Sequence, residues 1–301
     1  MKVAFSSVYT YQHLPEGHRF PMEKYDLIPI QLLREGVVTE SDFFHPEALT
    51  ESQILRTHTL EYWEKLKTGT LNRHEIRSMG FPYHPALIQR GRHIANGTLN
   101  CARFALEDGI SFNVAGGTHH SFSDRGEGFC VLNDFAITAN ELLHRQEVQK
   151  IMIIDLDVHQ GNGTAKIFEN EPRVFTFSMH GAKNYPLKKE KSDYDLGVVD
   201  GIEDKEYLGK LTSVLTDLID EVKPDIVFYL SGVDVLKSDK LGRLALSKTG
   251  CKERDEIVFK NCEKRNIPIV VSMGGGYSIR LADIVDAHVN TFIAGRNTYH
   301  I

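Results

Sequence analysis

The sequence predicts an α/β fold: one domain over residues 1–301, with a mostly parallel, doubly wound sheet flanked by helices. Three observations predict it. From residue 110 onward, short apolar runs alternate with amphipathic segments, the rhythm of strand–helix–strand units. Runs such as IMIID and IVFYL are apolar on both faces, as strands covered by helices on both sides must be. No internal repeat, low-complexity tract or Gly/Ser/Pro linker divides the chain.

A short strand is expected over Lys2–Val8. The rest of the first hundred residues reads mainly as helix, with apolar residues at helical spacing over Ala48–Lys67 and Ala86–Glu107. Then come a strand in ISFNVAGG, a helix in VLNDFAITANELLHR, a strand in KIMIIDLDV, a helix in GTAKIFEN and a strand in RVFTFSM. A helix over Lys205–Val222, a strand in DIVFYLSG, a helix over Cys251–Arg265, a strand in IPIVVSMGGG and a last helix near Ile279–Ile293 complete the pattern.

Composition narrows the function classes. With 41% hydrophobic and 25% charged residues, disorder, collagen and coiled coil are excluded as overall descriptions. Lys plus Arg total 35 against 41 for Asp plus Glu, a net charge of −6, which argues against direct binding of nucleic acid or of an anionic membrane. The four cysteines, Cys101, Cys130, Cys251 and Cys262, show no C-x-x-C spacing, so reduced thiols and a cytoplasmic location are expected. No sustained apolar h-region opens the chain, so no secretory signal is expected, and no apolar run is long enough to span a membrane.

In open parallel sheets ligands bind beyond the carboxyl ends of the strands. Four strand ends here carry chemistry: Thr118-His119-His120, Asp155-Leu156-Asp157-Val158-His159, Val233-Asp234, and Gly274-Gly275-Gly276-Tyr277. In extended backbone, residues i and i+2 point the same way, so Asp157 and His159 can grip one cation, and Asp234 can add a third ligand. Three N/O ligands with an open position are the arrangement of a catalytic divalent metal. Asp-x-His alone reads more readily as a cap or a local hydrogen bond; Asp234 and the other strand ends tip the balance to metal. One of His119 and His120 is suited to take a proton from water and the other to stabilise charge. Asp155 is placed to fix a histidine tautomer. Tyr277 is presented by a glycine-rich turn and suited to donate to an oxyanion. That turn lacks the G-x-G-x-x-G spacing of a dinucleotide site. Phe129, in GEGFCVLN, suits a narrow apolar channel or equally a core position.

The segments GGTHHSFSDRGEGFCVLND, DLDVHQGNGTAKIF, YLSGVDVL and MGGGYS resemble the motifs of the histone deacetylase family, from about Phe81 to the end and more weakly to the N-terminus. HQGNG, NYP and GVDVLKSDKLGRLALS are most similar to class IV deacetylases and their bacterial relatives. The resemblance implies an arginase-like three-layer αβα fold and one zinc ion held by Asp157, His159 and Asp234, with iron(II) a possible substitute. It implies His120 as general base and acid, His119 as its electrostatic partner oriented by Asp155, and Tyr277 on the oxyanion. Gly128, Phe129 and Tyr185 would line an acyl-lysine tunnel. A structural potassium ion would sit at Asp155, Ser178 and Met179, with main-chain oxygens of Asp157 and His159. A second monovalent site would involve Phe168, Glu171 and Val174.

The implied reaction is hydrolysis of an Nε-acyl-lysine amide in a peptide or protein. Leu241 stands where acetylpolyamine deacetylases carry a glutamate, which disfavours polyamines without excluding other small acylated amines. Acyl length, oligomeric state and physiological target stay open, and a non-catalytic acyl-lysine binder is a rival reading. Arginase-like chemistry is disfavoured because Gly161 and Gly232 stand where arginases place second-metal ligands, so a single metal is expected. Asn162 replaces the aspartate of class I enzymes. An amide stabilises an imidazolium less than a carboxylate does, so a lower His120 pKa than in class I enzymes is expected. Gln160 replaces a class I histidine, with little chemical consequence expected.

Overall fold

The strand ends that carry the motifs are neighbours because of how one sheet is ordered. In a computed structural model describing residues 1–301, eight strands form: β1 (Lys2–Ala4), β2 (Phe43–Phe44), β3 (Ile110–Asn113), β4 (Ile151–Asp155), β5 (Val174–Gly181), β6 (Tyr194–Val198), β7 (Ile226–Leu230) and β8 (Ile269–Ser272). Their order is β2-β1-β3-β8-β7-β4-β5-β6, and every pairing is parallel. The chain passes from β3 to β4 while leaving room for β8 and β7 between them. This skipped pair makes a topological switch point, where a crevice opens at the carboxyl ends.

Every residue of β3, β4, β7 and β8 is buried. Alternation divides their side chains between two apolar layers. Met152, Ile154, Val227, Tyr229, Ile269 and Val271 join one, and Ile151, Ile153, Ile226, Phe228 and Val270 join the other. The first layer is closed by α8 (Asp204–Val222), α9 (Lys248–Glu263) and α10 (Leu281–Tyr299), through Leu211, Val258 and Val289. The second is closed by α5 (Pro85–Asp108) and α6 (Asp134–His144), through Leu99 and Phe135. This is the expected helix–sheet–helix sandwich. No helix is long and apolar enough to cross a membrane.

The amino-terminal third departs most from the sequence reading. The first strand stops at Ala4 because Ser6 caps a short 3-10 turn over Ser7–Tyr9. The single helix expected over Ala48–Lys67 is two, α2 (Glu51–Ile54) and α3 (Leu60–Thr68). Thr50 with Gln53 forms a capping box, and the Thr59 hydroxyl accepts from the Tyr62 amide, so a second helix starts inside the apolar periodicity. Two further helices, α1 (Lys24–Arg34) and α4 (Arg73–Met79), and the small α7 (Asn162–Phe168) complete the set. The edge strand β6 was not foreseen: its alternately exposed YDLGV contains Asp195 and Gly197 and has no apolar run.

Candidate active site

The His119–His120 loop hangs from one buried carboxylate. Asp134, at the start of α6, accepts from the Thr118 amide (2.8 Å), the Thr118 hydroxyl (2.6 Å), the Gly117 amide (3.1 Å) and the Thr98 hydroxyl (2.7 Å). The two following imidazoles are buried, with ring centroids 4.1 Å apart. His119 Nδ1 lies 2.7 Å from Asp155 Oδ2, and His120 Nδ1 lies 2.6 Å from Asn162 Oδ1. Both partners are acceptors, so each Nδ1 carries hydrogen and each Nε2 is left to act.

Asp157 and His159 do come together, but not by strand alternation. The chain leaves β4 at Asp155 and bends. Asp155 Oδ1 accepts the Asp157 amide (3.1 Å), and Asp157 Oδ1 accepts the His159 amide (3.0 Å). These are side-chain turns that reverse the extended path. Asp234 Oδ1 accepts the Val158 amide (2.9 Å), stitching the loop after β7 to the loop after β4. One donor atom each from Asp157, His159 and Asp234 lies within 4.8 Å of the others, and all three residues are buried. His159 Nδ1 stands 3.1 Å from both Asp157 Oδ1 and Asp234 Oδ2. The approach is close enough to require glycine beside it: a Cβ at Gly232 would run into Asp157 Oδ2, and one at Gly275 into Asp234 Oδ2. The Gly275 amide instead donates to Asp157 Oδ2 (2.8 Å).

The electrostatics of this cluster fit a cation. Burial opposes charge on His159, yet Asp157 and Asp234 outweigh it and lift its pKa to about 10. Burial, then the Asp157 charge, pushes Asp234 up to about 7. Two carboxylates without a buried Lys or Arg partner thus hold a proton where a metal would relieve them. One imidazole nitrogen with two carboxylate oxygens suits zinc, and iron(II) nearly as well. Gly161 and Gly232 offer no side chains for a second metal, and no second three-donor cluster exists in the chain.

One residue behind the site escaped the sequence reading. Arg254, on α9, is fully buried. Its Nη1 donates to the carbonyls of Leu156 (3.1 Å) and Gly232 (2.6 Å). Those carbonyls belong to the two loops that carry Asp157 and Asp234, so the guanidinium holds the donor loops at a fixed separation. Its Nε and Nη2 donate to Asp255 Oδ1, which also accepts from the Tyr229 hydroxyl (2.5 Å). An Arg-Asp pair in a helix reads as a solvated patch. The signal was its phase, since residues 254 and 255 fall on the same face as Cys251, Val258 and Phe259. Arg254→Met is expected to destabilise the fold by about 3–5 kcal/mol, the cost of breaking a buried pair. It should also weaken divalent-metal binding in the fraction that folds. Denaturant unfolding and metal titration check this, and unchanged metal affinity would contradict the clamp.

The mouth of the crevice is aromatic. Gly128 and Phe129 adopt φ of 51° and 69°, a turn pinned by the Gly128 amide to Ser78 O (3.0 Å) and the Phe129 amide to Met79 O (2.9 Å). The missing side chain at Gly128 leaves room for the His120 ring. The Phe129 ring packs on Phe20 and Phe81 (both 5.3 Å) and on Tyr277 (6.0 Å). Tyr185 stands edge-on to His120 at 5.0 Å, its hydroxyl donating to Glu127 Oε2 (2.8 Å). Leu241, half-buried, accepts through its carbonyl from Asn184 Nδ2 (2.9 Å). Gly128, Phe129, Tyr185 and Leu241 share one open cavity of about 330 Å³ with His120, His159 and Tyr277. Tyr277 is buried, and burial, then the Asp234 and Asp157 charges, hold its phenol well above the ordinary range. Asp155 and Ser178 are register partners across β4 and β5, with Met179 next, while the Ser178 hydroxyl lies 3.0 Å from His180 Nδ1. Phe168, Glu171 and Val174 form the turn between α7 and β5, tied by the Glu171 amide to Phe168 O and the Val174 amide to Glu171 O.

Comparison with known proteins shows the family. The model of the histone deacetylase domain matches residues 18–292. A protein of Picosynechococcus sp. described only as uncharacterized is 42% identical over 286 residues, covering 95% of each chain. Histone deacetylase 2 of Arabidopsis thaliana is 30% identical, covering 95% of this chain and 76% of its own. Histone deacetylase clr6 of Schizosaccharomyces pombe is 29% identical, covering 94% and 73%. The crystal structure of the HDA15 HD domain superposes with a TM-score of 0.79 over 99% of this chain and 96% of that one, at 20% identity, which supports the fold. The chain belongs to the histone deacetylase family.

Proposed function

We propose that this chain is a metal-dependent hydrolase that removes acetyl or longer acyl groups from the Nε-amine of lysine. The observation that carries the reading is the pair of buried imidazoles, one on a carboxylate and one on an amide, beside a single N/O donor cluster at the floor of an aromatic mouth. Asp157, His159 and Asp234 would hold zinc or iron(II). Such an ion supplies Lewis acidity, which acidifies water and polarises an amide carbonyl.

The side chains divide the remaining work. Burial, reinforced by charge on His119 and His159, holds His120 well below the usual histidine range. It is neutral near pH 7, and its Nε2 takes a proton from the attacking water and then delivers it to the leaving amine. Burial lowers His119 too, but Asp155 and Asp157 outweigh that and keep it above the ordinary value, which favours positive charge beside the reaction. The Tyr277 phenol keeps its proton and donates to the carbonyl oxygen as negative charge develops there. Phe129 and Tyr185 flank the acyl-lysine stem and exclude water. A potassium ion at Asp155, Ser178 and Met179 belongs to the same proposal, supported by the Asp155–Ser178 register.

Acetyl-lysine and longer acyl-lysine peptides should be turned over, acetylpolyamines poorly, and all activity should stop on chelation. No turnover of any acyl-lysine peptide would overturn the reading. The amide at Asn162 sets the pH response. His120 sits below 6.5, so the acidic limb of kcat/KM should lie below pH 6.5. Asn162→Asp adds a negative partner, favours imidazolium, and should move that limb to higher pH by roughly one pH unit or more. The amide also lies 3.4 Å from Glu127 Oε2, so Glu127→Gln is combined with it to avoid opposed carboxylates. An unmoved limb in a pH–rate profile would contradict the assignment.

A further inference from the structure

The mouth carries charge of one sign. Arg19, Lys183 and Arg243 line the same cavity as Phe129 and Leu241, and no Asp or Glu lines it. All three are exposed. The Arg19 guanidinium lies over the face of Phe129, 5.0 Å from the ring centroid, and Phe129 packs on Tyr277, so this charge stands one ring out from the reacting groups. Lys183 precedes Asn184, whose amide is bonded to the Leu241 carbonyl (2.9 Å), and Arg243 lies two residues beyond Leu241. Two loops joined by that bond therefore bring their cations to one rim.

Two nearby carboxylates are engaged elsewhere: Glu127 by Arg125 Nε (2.7 Å) and the Tyr185 hydroxyl (2.8 Å), and Asp239 by the Leu241 (2.8 Å), Gly242 (2.9 Å) and Tyr277 (2.6 Å) amides. Asp200 pairs with Arg243 at 3.4 Å between exposed groups, so Arg243 contributes less to the field than Arg19 and Lys183, which have no ion-pair partner. The whole chain is negative, at −6, so the positive rim runs against the global balance and is a local feature of the entrance. A concentrated charge of one sign at a cleft raises the local concentration of the opposite charge.

Acylation removes the charge of the target lysine, so the electrostatics of encounter are set by the residues on either side of it. We infer that the rim formed by Arg19, Lys183 and Arg243 selects acyl-lysines flanked by Asp or Glu and disfavours those in Lys/Arg-rich segments. This inference rests on the lysine-deacylase reading above. Each exposed charge pair is worth about two- to fivefold, so Arg19 and Lys183, with a smaller share from the Asp200-paired Arg243, should together give roughly tenfold. Basic tails of the histone type are then poorer substrates than acidic segments of other proteins.

The test is a matched set of acetyl-lysine peptides, with the positions flanking the lysine all acidic or all basic, plus the acidic peptide without the acetyl group. Turnover and binding by fluorescence anisotropy are measured on the wild-type protein and on the triple variant Arg19→Glu/Lys183→Glu/Arg243→Glu. All three sites are exposed, and circular dichroism confirms folding. The acetylated acidic peptide should be preferred about tenfold at low salt, the preference should collapse near 1 M salt, where the Debye length is about 3 Å, and it should reverse in the variant. Equal or basic-favouring turnover and binding would overturn the inference. So would equal binding of the unacetylated acidic peptide, which would mark the rim as a general polyanion surface. Tighter, rim-dependent binding of the acetylated acidic peptide with no turnover would support the rim and overturn the hydrolase reading instead.

Discussion

Asp157→Ala is expected to abolish hydrolysis and metal binding together. Asp157 contributes one of three donors, and its two oxygens also receive the His159 and Gly275 amides. Without it, His159 and Asp234 remain as a two-donor set that cannot hold a divalent ion tightly. Stability distinguishes this from simple unfolding. In the metal-free wild type the His159 imidazolium bridges Asp157 and Asp234, so losing Asp157 removes one of its two partners and leaves the Asp234 pair, and the metal-free variant should stay folded. The contrast comes on adding zinc. A ligand present at 100 times its Kd stabilises the folded state by about 2.7 kcal/mol, so the wild-type Tm should rise and the variant's should not. A zinc-dependent Tm rise of wild-type size in Asp157→Ala would remove the residue from the donor set.

Tyr277→Phe should retain metal and fold but lose roughly 10²–10³-fold in kcat, the usual cost of deleting one oxyanion donor. The ring remains to pack against Phe20 and Phe129, both at 6.0 Å, so substrate binding and KM should change little. The phenol is held protonated by burial and by two carboxylates, so the loss should be the same across neutral pH. Full activity in the variant would exclude the hydroxyl from the chemistry, and a raised KM with unchanged kcat would make it a binding group only.

Much of this site was legible because each chemistry-bearing loop follows a run apolar on both faces, and such runs announce buried parallel strands. IMIID, IVFYL and IVVS therefore located Asp155–His159, Asp234 and Tyr277 at one end of a sheet. The strand order β3-β8-β7-β4, which makes those loops adjacent, has no local signature; it follows from long-range packing. Asp157 and His159 were paired for the wrong reason, since a bend built from their own side-chain hydrogen bonds replaces the extended backbone assumed. The partnership of His120 with Asn162 came from family resemblance, because nothing in N-x-T spacing marks residue 162 as facing residue 120. Arg254 was missed because a charge in a helix looks solvated until the buried carbonyls it serves are known. The rim cations were invisible for a different reason: Arg19, Lys183 and Arg243 lie on three separate loops, far apart in a net acidic chain, and only the fold brings them to one cavity.

We propose that separate parallel strands converge on one cation held by Asp157, His159 and Asp234. Metal-free protein titrated with zinc, with bound metal and acetyl-lysine hydrolysis followed in parallel, tests it most directly. One equivalent per chain should bind, and activity should rise in step and reach its plateau at that same equivalent. A plateau only at two equivalents, or full activity before any metal is added, would contradict it.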